Sequence, residues 1–208
     1  MTVSLQELVA PLRTAVVTME VQRAVVGDLS VFPELAEAAA ATAVIPNIVR
    51  LLAAARALHV PVVHCLAEFR ADRAGTMVNC GLIGSMVRNP QHMLTGSPSA
   101  ELVAELGPEP SDLISTRLHG VSPFIGTSLD PWLRSLGVRT VVATGVSVNL
   151  GVLGLAIEAV NFGYTVVVPR DTVAGVPEDY ANSVLDNTFP LIATLTTTDD
   201  LLGAWAHP

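Results

Sequence analysis

The sequence contains no lysine: all 11 of its basic residues are arginine, and 19 acidic residues give it a formal net charge of -8 at pH 7. No basic cluster offsets this charge, so a phosphate backbone is an unfavourable partner and we expect no nucleic-acid binding. The absence of lysine also excludes any mechanism that depends on a lysine amine.

Cysteine is equally scarce. Cys65 and Cys80 supply neither a disulfide framework nor the spacing of a zinc site, so a reduced, cytoplasmic location is the simplest expectation. Proline, asparagine or a charge interrupts every apolar stretch well before the roughly 20 residues that a membrane span needs. The N-terminal segment lacks the basic region of a signal peptide. We therefore expect no membrane partner, and no metal or cofactor, since no HxH or carboxylate–histidine cluster is present.

Aromatic residues make up only 4% of the chain, whereas 50% of its residues are hydrophobic and its mean hydropathy is +0.53. Valine, alanine and leucine must therefore form the core. A chain of 208 residues is long enough to bury a substantial core, and we expect one domain that covers residues 1–208.

Apolar runs typical of buried strands alternate with stretches of helical spacing. The predicted strands are residues 14–19, 60–65, 112–116, 140–144, 164–169 and 191–195, and the predicted helices are residues 35–58, 100–106, 128–136, 149–162 and 177–187. This alternation predicts a three-layer α/β/α, Rossmann-like fold with a mostly parallel six-stranded sheet, whose ligands bind at the carboxyl ends of the strands. The irregular segment 66–110 is either a lid or oligomer contact, or a variable surface excursion.

Four motifs follow one another along the chain. The first strand ends in AVVTMEVQ, which places Glu20 at the strand end and Gln22 two residues later. FIGTSLDPWL begins at Phe124. The segment GVSVNLGV, residues 145–152, joins a strand to a helix, and such a turn presents free backbone N–H groups that suit an anion or oxyanion. GYTVVVPRDTVAG covers residues 163–175.

In this order and spacing, the motifs resemble the isochorismatase-like (cysteine hydrolase) superfamily over residues 13–195. The resemblance implies hydrolysis of a small-molecule substrate, a homodimer or homotetramer, and a cis peptide bond between Val146 and Ser147. It also implies that Gln22, Ser147 and Gly151 lie at the substrate. Asn149 is either a further substrate contact or, preferably, a helix N-cap.

His64 is a further candidate for substrate binding, because it lies near the end of the second predicted strand. Cys65 beside it is better explained as a small buried hydrophobe than as a relocated nucleophile.

The chain departs from the family at two catalytic positions. Most members carry a nucleophilic cysteine where this chain has Gly151, which has no side chain to attack a substrate. The catalytic lysine of the family aligns with Leu118 in a gapless comparison. Arg117 or His119 could supply the positive charge instead; the alternative is that both are ordinary loop residues.

Glu20 is the predicted acid or base. Family members with glycine at the cysteine position cleave a vinyl ether, using an aspartic acid to protonate the vinyl carbon before water adds. A carboxyl group in a partly apolar pocket has a raised pKa that suits this role, although glutamate is one methylene longer than aspartate. We expect a hydrolase acting on a small anionic molecule without a cysteine nucleophile. The alternative is a catalytically degenerate member that acts as a ligand-binding or assembly protein.

Overall fold

The computed structural model describes residues 3–206 and has one parallel sheet at its centre. The strands are β1 (Thr14–Met19), β2 (Val62–Ala67), β3 (Leu113–Arg117), β4 (Thr140–Val146), β5 (Thr165–Pro169), β6 (Val173–Ala174) and β7 (Thr194–Thr196). Their spatial order is β3-β2-β1-β4-β5-β7, with the two-residue β6 paired to the end of β4. The predicted α/β fold with a parallel sheet is confirmed, with β6 as an additional strand.

Helices cover both faces of this sheet. They are α1 (Leu5–Leu8), α2 (Arg23–Val26), α3 (Pro33–Ala41), α4 (Val44–Ala57), α5 (Gly81–Met86), α6 (Leu129–Ser135), α7 (Leu153–Asn161), α8 (Glu178–Asn187) and α9 (Thr198–Ala206). Alternate residues of each strand point to opposite faces, so Val16 packs in the core under α3, α4 and α9, whereas Val17 packs in the core under α6, α7 and α8. The three predicted layers are therefore present.

The predicted helix over residues 35–58, in which Pro46 indicates a first-turn position or a kink, is not a single element. The structure divides it into α3 and α4, which meet at an angle of 62°. Ala43, between them, has a left-handed backbone with a φ of 52°. Pro46 in the first turn of α4 explains the break, because its ring would clash with the carbonyl of residue 42 if one helix continued through it.

Strand and helix ends differ from the predictions in ways that affect the site. Strand β2 runs to Ala67 rather than to residue 65, and β3 runs to Arg117 rather than to residue 116. The predicted helix over 100–106 is two single 3₁₀ turns. Helix α9, which we did not predict, begins where the Thr198 N–H donates to the carboxylate of Asp171 at 2.9 Å.

Within residues 3–206 no single helix is long and apolar enough to cross a membrane. The α3 and α4 pair meets the length and composition criteria only when both helices are counted together across their bend.

Gly145 gives a test of the close approach between β1 and β4. Its φ is +101°, and a Cβ built on it would overlap the Met19 carbonyl oxygen and lie 2.8 Å from the Met19 nitrogen. Gly137 has a similar φ of +71° but nothing within 4 Å of a Cβ. We expect Gly137→Ala to lower the free energy of unfolding by about 1 kcal/mol, and Gly145→Ala by about 3 kcal/mol or more, in urea denaturation. Equal losses of unfolding free energy in the two variants would contradict the close packing of Gly145 against Met19.

Candidate active site

A cavity of about 450 Å³ lies at the carboxyl ends of the strands, where the sequence predicts a ligand site. Three elements of the sheet supply its polar floor. Glu20 follows β1, Arg117 ends β3 and Ser147 follows β4, and all three residues line the cavity. Strands β1 and β4 lie side by side where the strand order reverses direction, so the cavity occupies the topological switch point of the sheet.

Glu20 forms a buried ion pair with Arg117 at this floor. Arg117 Nη2 donates to Glu20 Oε1, and the two side chains are only 6% (Arg117) and 16% (Glu20) exposed. A hydrogen bond between two charged groups is stronger than a neutral one, so each side chain fixes the position of the other. Arg117 Nε also donates to the Gly120 carbonyl at 3.3 Å, whereas Nη1 is buried without a hydrogen-bond partner among the described residues.

The backbone of Glu20 is unusual as well. Its φ is 51°, in the left-handed region that few residues other than glycine adopt. Its N–H donates to the Cys65 carbonyl at 2.9 Å, which holds this conformation at the end of β1. A left-handed residue other than glycine is a local cost that structures tolerate most often at functional sites.

Arg117, Leu118 and His119 all line the cavity. Alternation along a strand would send Arg117 and Leu118 to opposite faces, but β3 ends at Arg117 and the chain turns there. The structure thus brings Arg117 directly to Glu20 and places His119 on the wall of the cavity. Whether either one substitutes for the lysine of the family stays a prediction.

The connection from β4 to α7 forms another part of the wall. The Val146–Ser147 peptide bond is cis, which confirms the prediction. Residues Val148–Val152 form a π-helical turn before α7, in which the Leu150 and Val152 N–H groups both donate to the Ser147 carbonyl. Ser147, Asn149 and Gly151 line the cavity as expected from the sequence.

Gly151 lies tightly against the end of β4. A Cβ at this position would be 2.9 Å from the Val146 carbonyl oxygen and 3.2 Å from the Met19 Cε. A backbone oxygen moves less readily than the tip of a side chain, so any side chain at residue 151 requires the turn to shift. The turn in this conformation has room only for glycine at residue 151.

Asn149 does not cap the helix, so that preferred interpretation is wrong. Residue 147 occupies the N-cap position, without a side-chain cap. The Asn149 amide instead donates from Nδ2 to the Val176 carbonyl at 3.1 Å. Val176 precedes Pro177 through a second cis peptide bond and itself lines the cavity. Asn149 therefore connects the turn after β4 to the start of α8.

Gln22 lies outside the cavity, contrary to its predicted place at the substrate. Its side chain is fully buried; Nε2 donates to the Ala67 and Ala100 carbonyls, and Oε1 accepts from the Ala67 N–H at 2.9 Å. These three bonds satisfy most of its hydrogen-bonding capacity. Gln22 therefore fastens the irregular segment 66–110 to the end of β2.

His64 also lies outside the cavity. Because β2 continues to Ala67, His64 is inside the sheet, where Nδ1 contacts Thr18 Oγ1 at 2.8 Å and Nε2 contacts Asp112 Oδ2 at 3.3 Å. Burial lowers the pKa of His64, and the neighbouring Asp112 carboxylate offsets only part of this effect. Asp112 also binds Arg56. His64 therefore belongs to a structural network at the amino end of β3, away from the cavity at the carboxyl ends.

Cys65 is fully buried in the core between the sheet and helices α6 to α8. Burial raises the pKa of its thiol to about 12, although the charge of Arg117 opposes this rise. A thiol in this environment is protonated and unreactive at neutral pH. The structure thus agrees with a packing role for Cys65.

Most of the cavity wall is apolar, which sequence reasoning did not predict. The apolar lining comes from α2, the loop before α3, α3 itself and the irregular segment, through Val25, Val31, Phe32, Pro33, Leu35, Phe69, Leu82, Ile83 and Met86. The length of segment 66–110 indicated a functional element but not which of its side chains point inward. No group of three or more His, Cys, Asp or Glu side chains in residues 3–206 could hold a metal ion.

Comparison with known sequences identifies relatives of this chain. The family model described as "Isochorismatase domain" matches residues 14–200. An uncharacterized isochorismatase family protein, YwoC from Bacillus subtilis, is 33% identical over 50% of this chain and 54% of its own length. The ureidoacrylate amidohydrolase RutB from Pseudomonas savastanoi is 28% identical over 91% of this chain and 82% of its own length. The chain thus spans about half the length of YwoC, and 53% of a similar Escherichia coli protein, YecD.

Solved structures share the fold. An isochorismatase family protein from Burkholderia thailandensis has a TM-score of 0.77 and 27% identity, over 94% of this chain and 96% of its own. A cysteine hydrolase from Pseudomonas syringae has a TM-score of 0.79 and 25% identity, over 96% of this chain and 95% of its own.

The burial of His64 predicts a pH-dependent stability. Because the pKa of His64 is lowered in the folded state, the unfolded chain binds the proton first as pH falls through about 6.5, so the free energy of unfolding decreases below that pH. Between about pH 7 and pH 5.5, we expect the free energy of unfolding to fall less in His64→Asn than in the parent. The pH dependence that remains in His64→Asn comes from groups such as His92, whose pKa is also lowered by burial.

The exposed His59 provides the matched control. His59→Asn, in which asparagine tolerates the left-handed φ of 56° at this position, should keep the parent slope. Urea denaturation at each pH measures the difference. If the free energy of unfolding depended on pH equally in the parent and in His64→Asn, this would contradict the role assigned to the burial of His64.

Proposed function

The chain belongs to the isochorismatase family, and we propose that it is a hydrolase of small molecules that uses Glu20 as its acid–base group and no cysteine nucleophile. One observation carries this proposal: the Glu20–Arg117 pair shares a cavity with the Ser147–Gly151 turn at the switch point of the sheet. A carboxyl group, a guanidinium and a helix N-terminus thereby surround one small volume, as acid–base chemistry on a bound molecule requires.

Vinyl ether cleavage of the isochorismate type is the first bond type to consider, and it requires Glu20 in its protonated form. Arg117 binds Oε1 of Glu20, which leaves the second carboxyl oxygen for proton exchange with the substrate. Glu20 would transfer its proton to the vinyl carbon, and water would add to the resulting oxocarbenium carbon while its proton returns to Glu20. The hemiketal then separates into a ketone and an alcohol. Each step balances without a covalent intermediate on the protein.

Amide hydrolysis is the second bond type to consider, because two similar proteins are named as ureidoacrylate and maleamate amidohydrolases. Here Glu20 would act as a base that removes a proton from attacking water. The Glu20–Arg117 ion pair favours this variant, because a guanidinium stabilises the ionised form of a carboxyl group and a general base acts in that form. Gly151 excludes attack by a side chain at that position, and the burial of Cys65 argues against a substitute thiol.

A non-catalytic binding protein is the alternative from a different class. The tight packing of Gly151 and the engagement of Arg117 by Glu20 are compatible with a cavity that only holds a ligand. Turnover that depends on Glu20 separates the two functions.

Glu20→Gln is the deciding variant. We expect the parent to turn over at least one member of a panel that contains isochorismate, neutral vinyl ethers, ureidoacrylate, maleamate and neutral amides. Pyruvate or ketone release and ammonia release are the readouts. Glu20→Gln should lower the rate by about 100-fold or more, because it removes the proton-transfer group. Glu37→Gln makes the same change on the exposed side of α3, outside the cavity lining, and should keep the parent rate.

Removing one partner of a buried ion pair also destabilises a protein, by about 3–5 kcal/mol. The double variant Glu20→Gln/Arg117→Gln leaves neither charge unpaired, and circular dichroism establishes which variants are folded. Loss of turnover in a folded double variant supports the catalytic role. A folded Glu20→Gln protein at the parent rate would refute the acid–base role of Glu20, and a parent that turns over no member of the panel would refute the hydrolase.

A further inference from the structure

The walls of the cavity suit an apolar ligand. The inner surface combines branched aliphatic side chains with Phe32, Phe69 and Met86, and a ring or a branched alkyl group packs favourably on such surfaces. The cavity volume, about 450 Å³, lies within the range of sites for small organic molecules.

The charged residues of the cavity also favour an uncharged ligand. Among the described residues that line it, the charged side chains are Glu20, Arg117 and Glu34, and His119 on the wall is the other titratable one. Glu20 and Arg117 neutralise each other, and Glu34 is exposed in the first turn of α3. A carboxylate ligand would therefore have to compete with Glu20 for one guanidinium, which cannot neutralise two carboxylates. Burying an unpaired charge costs several kcal/mol, and the net charge of -8 adds a repulsive field for anions.

An uncharged polar group meets no such conflict. Arg117 Nη1 is buried and has no partner among the described residues, so a carbonyl or ether oxygen that reaches it would satisfy a donor that Glu20 leaves unpaired. Leu118 lies next to Arg117 on the same wall and packs towards residue 75, where its Cδ1 would be 2.8 Å from a Cβ built on Gly75. An aliphatic side chain thus occupies the position beside Arg117 where a second cation would be needed for an anion.

We infer that the cavity selects an uncharged molecule with an apolar body and a carbonyl or ether oxygen at its reacting end, and rejects carboxylates. The inference rests on the proposed function only for the statement that this end reacts; the selectivity itself is a property of binding. It replaces the anionic substrate expected from the sequence with a neutral enol ether or amide, on which the chemistry of Glu20 is unchanged.

Three probes test this selectivity: 4-tert-butylbenzamide, its trimethylammonium isostere and 4-tert-butylbenzoate, in which a carboxylate of similar shape replaces the carboxamide. Isothermal titration calorimetry with the parent protein measures their dissociation constants. We expect the neutral probe to bind at least about tenfold more tightly than either charged probe, which corresponds to about 1.4 kcal/mol. Leu82→Trp, which fills the cavity from its wall, should abolish binding of the neutral probe and so locate it.

A charge introduced at residue 118 tests the cause. Leu118→Lys should reduce the preference for the neutral over the carboxylate probe by about tenfold, because it supplies the missing cation. Leu118→Gln, which adds no charge, should keep the parent's preference for the neutral probe. Equal or tighter binding of either charged probe by the parent, or binding of none of the three, would overturn the inference. Neutral selectivity without Glu20-dependent turnover would refute the hydrolase and leave the selectivity intact.

Discussion

The buried ion pair between Glu20 and Arg117 is the constraint on which the cavity depends. It connects the ends of β1 and β3, two strands that β2 separates in the sheet, so both side chains must reach across the end of β2. Neither charge could remain there alone, because a buried guanidinium or carboxylate without a partner is strongly destabilising. The pair therefore determines both the electrostatics of the floor and the chemistry that remains available to the cavity.

The sheet explains why these groups meet. In a parallel sheet all carboxyl ends lie at one edge, so residues that are distant in sequence, such as Glu20 and Gly151, converge without a dedicated connection. Gly145 permits β4 to approach the end of β1, and the tight packing of Gly151 brings the following turn against the same edge. The irregular segment contributes apolar side chains to the wall of the cavity, and Gln22 fastens that segment to β2.

The parts of the fold that the sequence predicted are those governed by local patterns. Valine-rich runs identified β1 and β4 because a strand buried on both faces is apolar at every position. The elements that deviate depend on contacts distant in sequence. His64 was placed at the cavity because β2 was predicted two residues too short, and a shift of that size moves a side chain from the strand end into the sheet. Glu20 follows β1 by one residue and Gln22 by three, and nothing local distinguishes the residue that lines the cavity from the one that binds Ala67 and Ala100.

The glycine at residue 151 and the apolar lining have a common consequence for the proposed chemistry. A cavity with a cysteine nucleophile reacts through its thiolate, whereas the function proposed for this cavity uses the acid–base capacity of Glu20, through water or by direct proton transfer. Such chemistry gains most from excluding bulk water, because proton transfer and charge development are then governed by fixed groups such as Arg117. Apolar walls provide that exclusion without introducing a competing charge beside the pair. A neutral substrate preserves this balance on binding, and a carboxylate would disturb it before any reaction began.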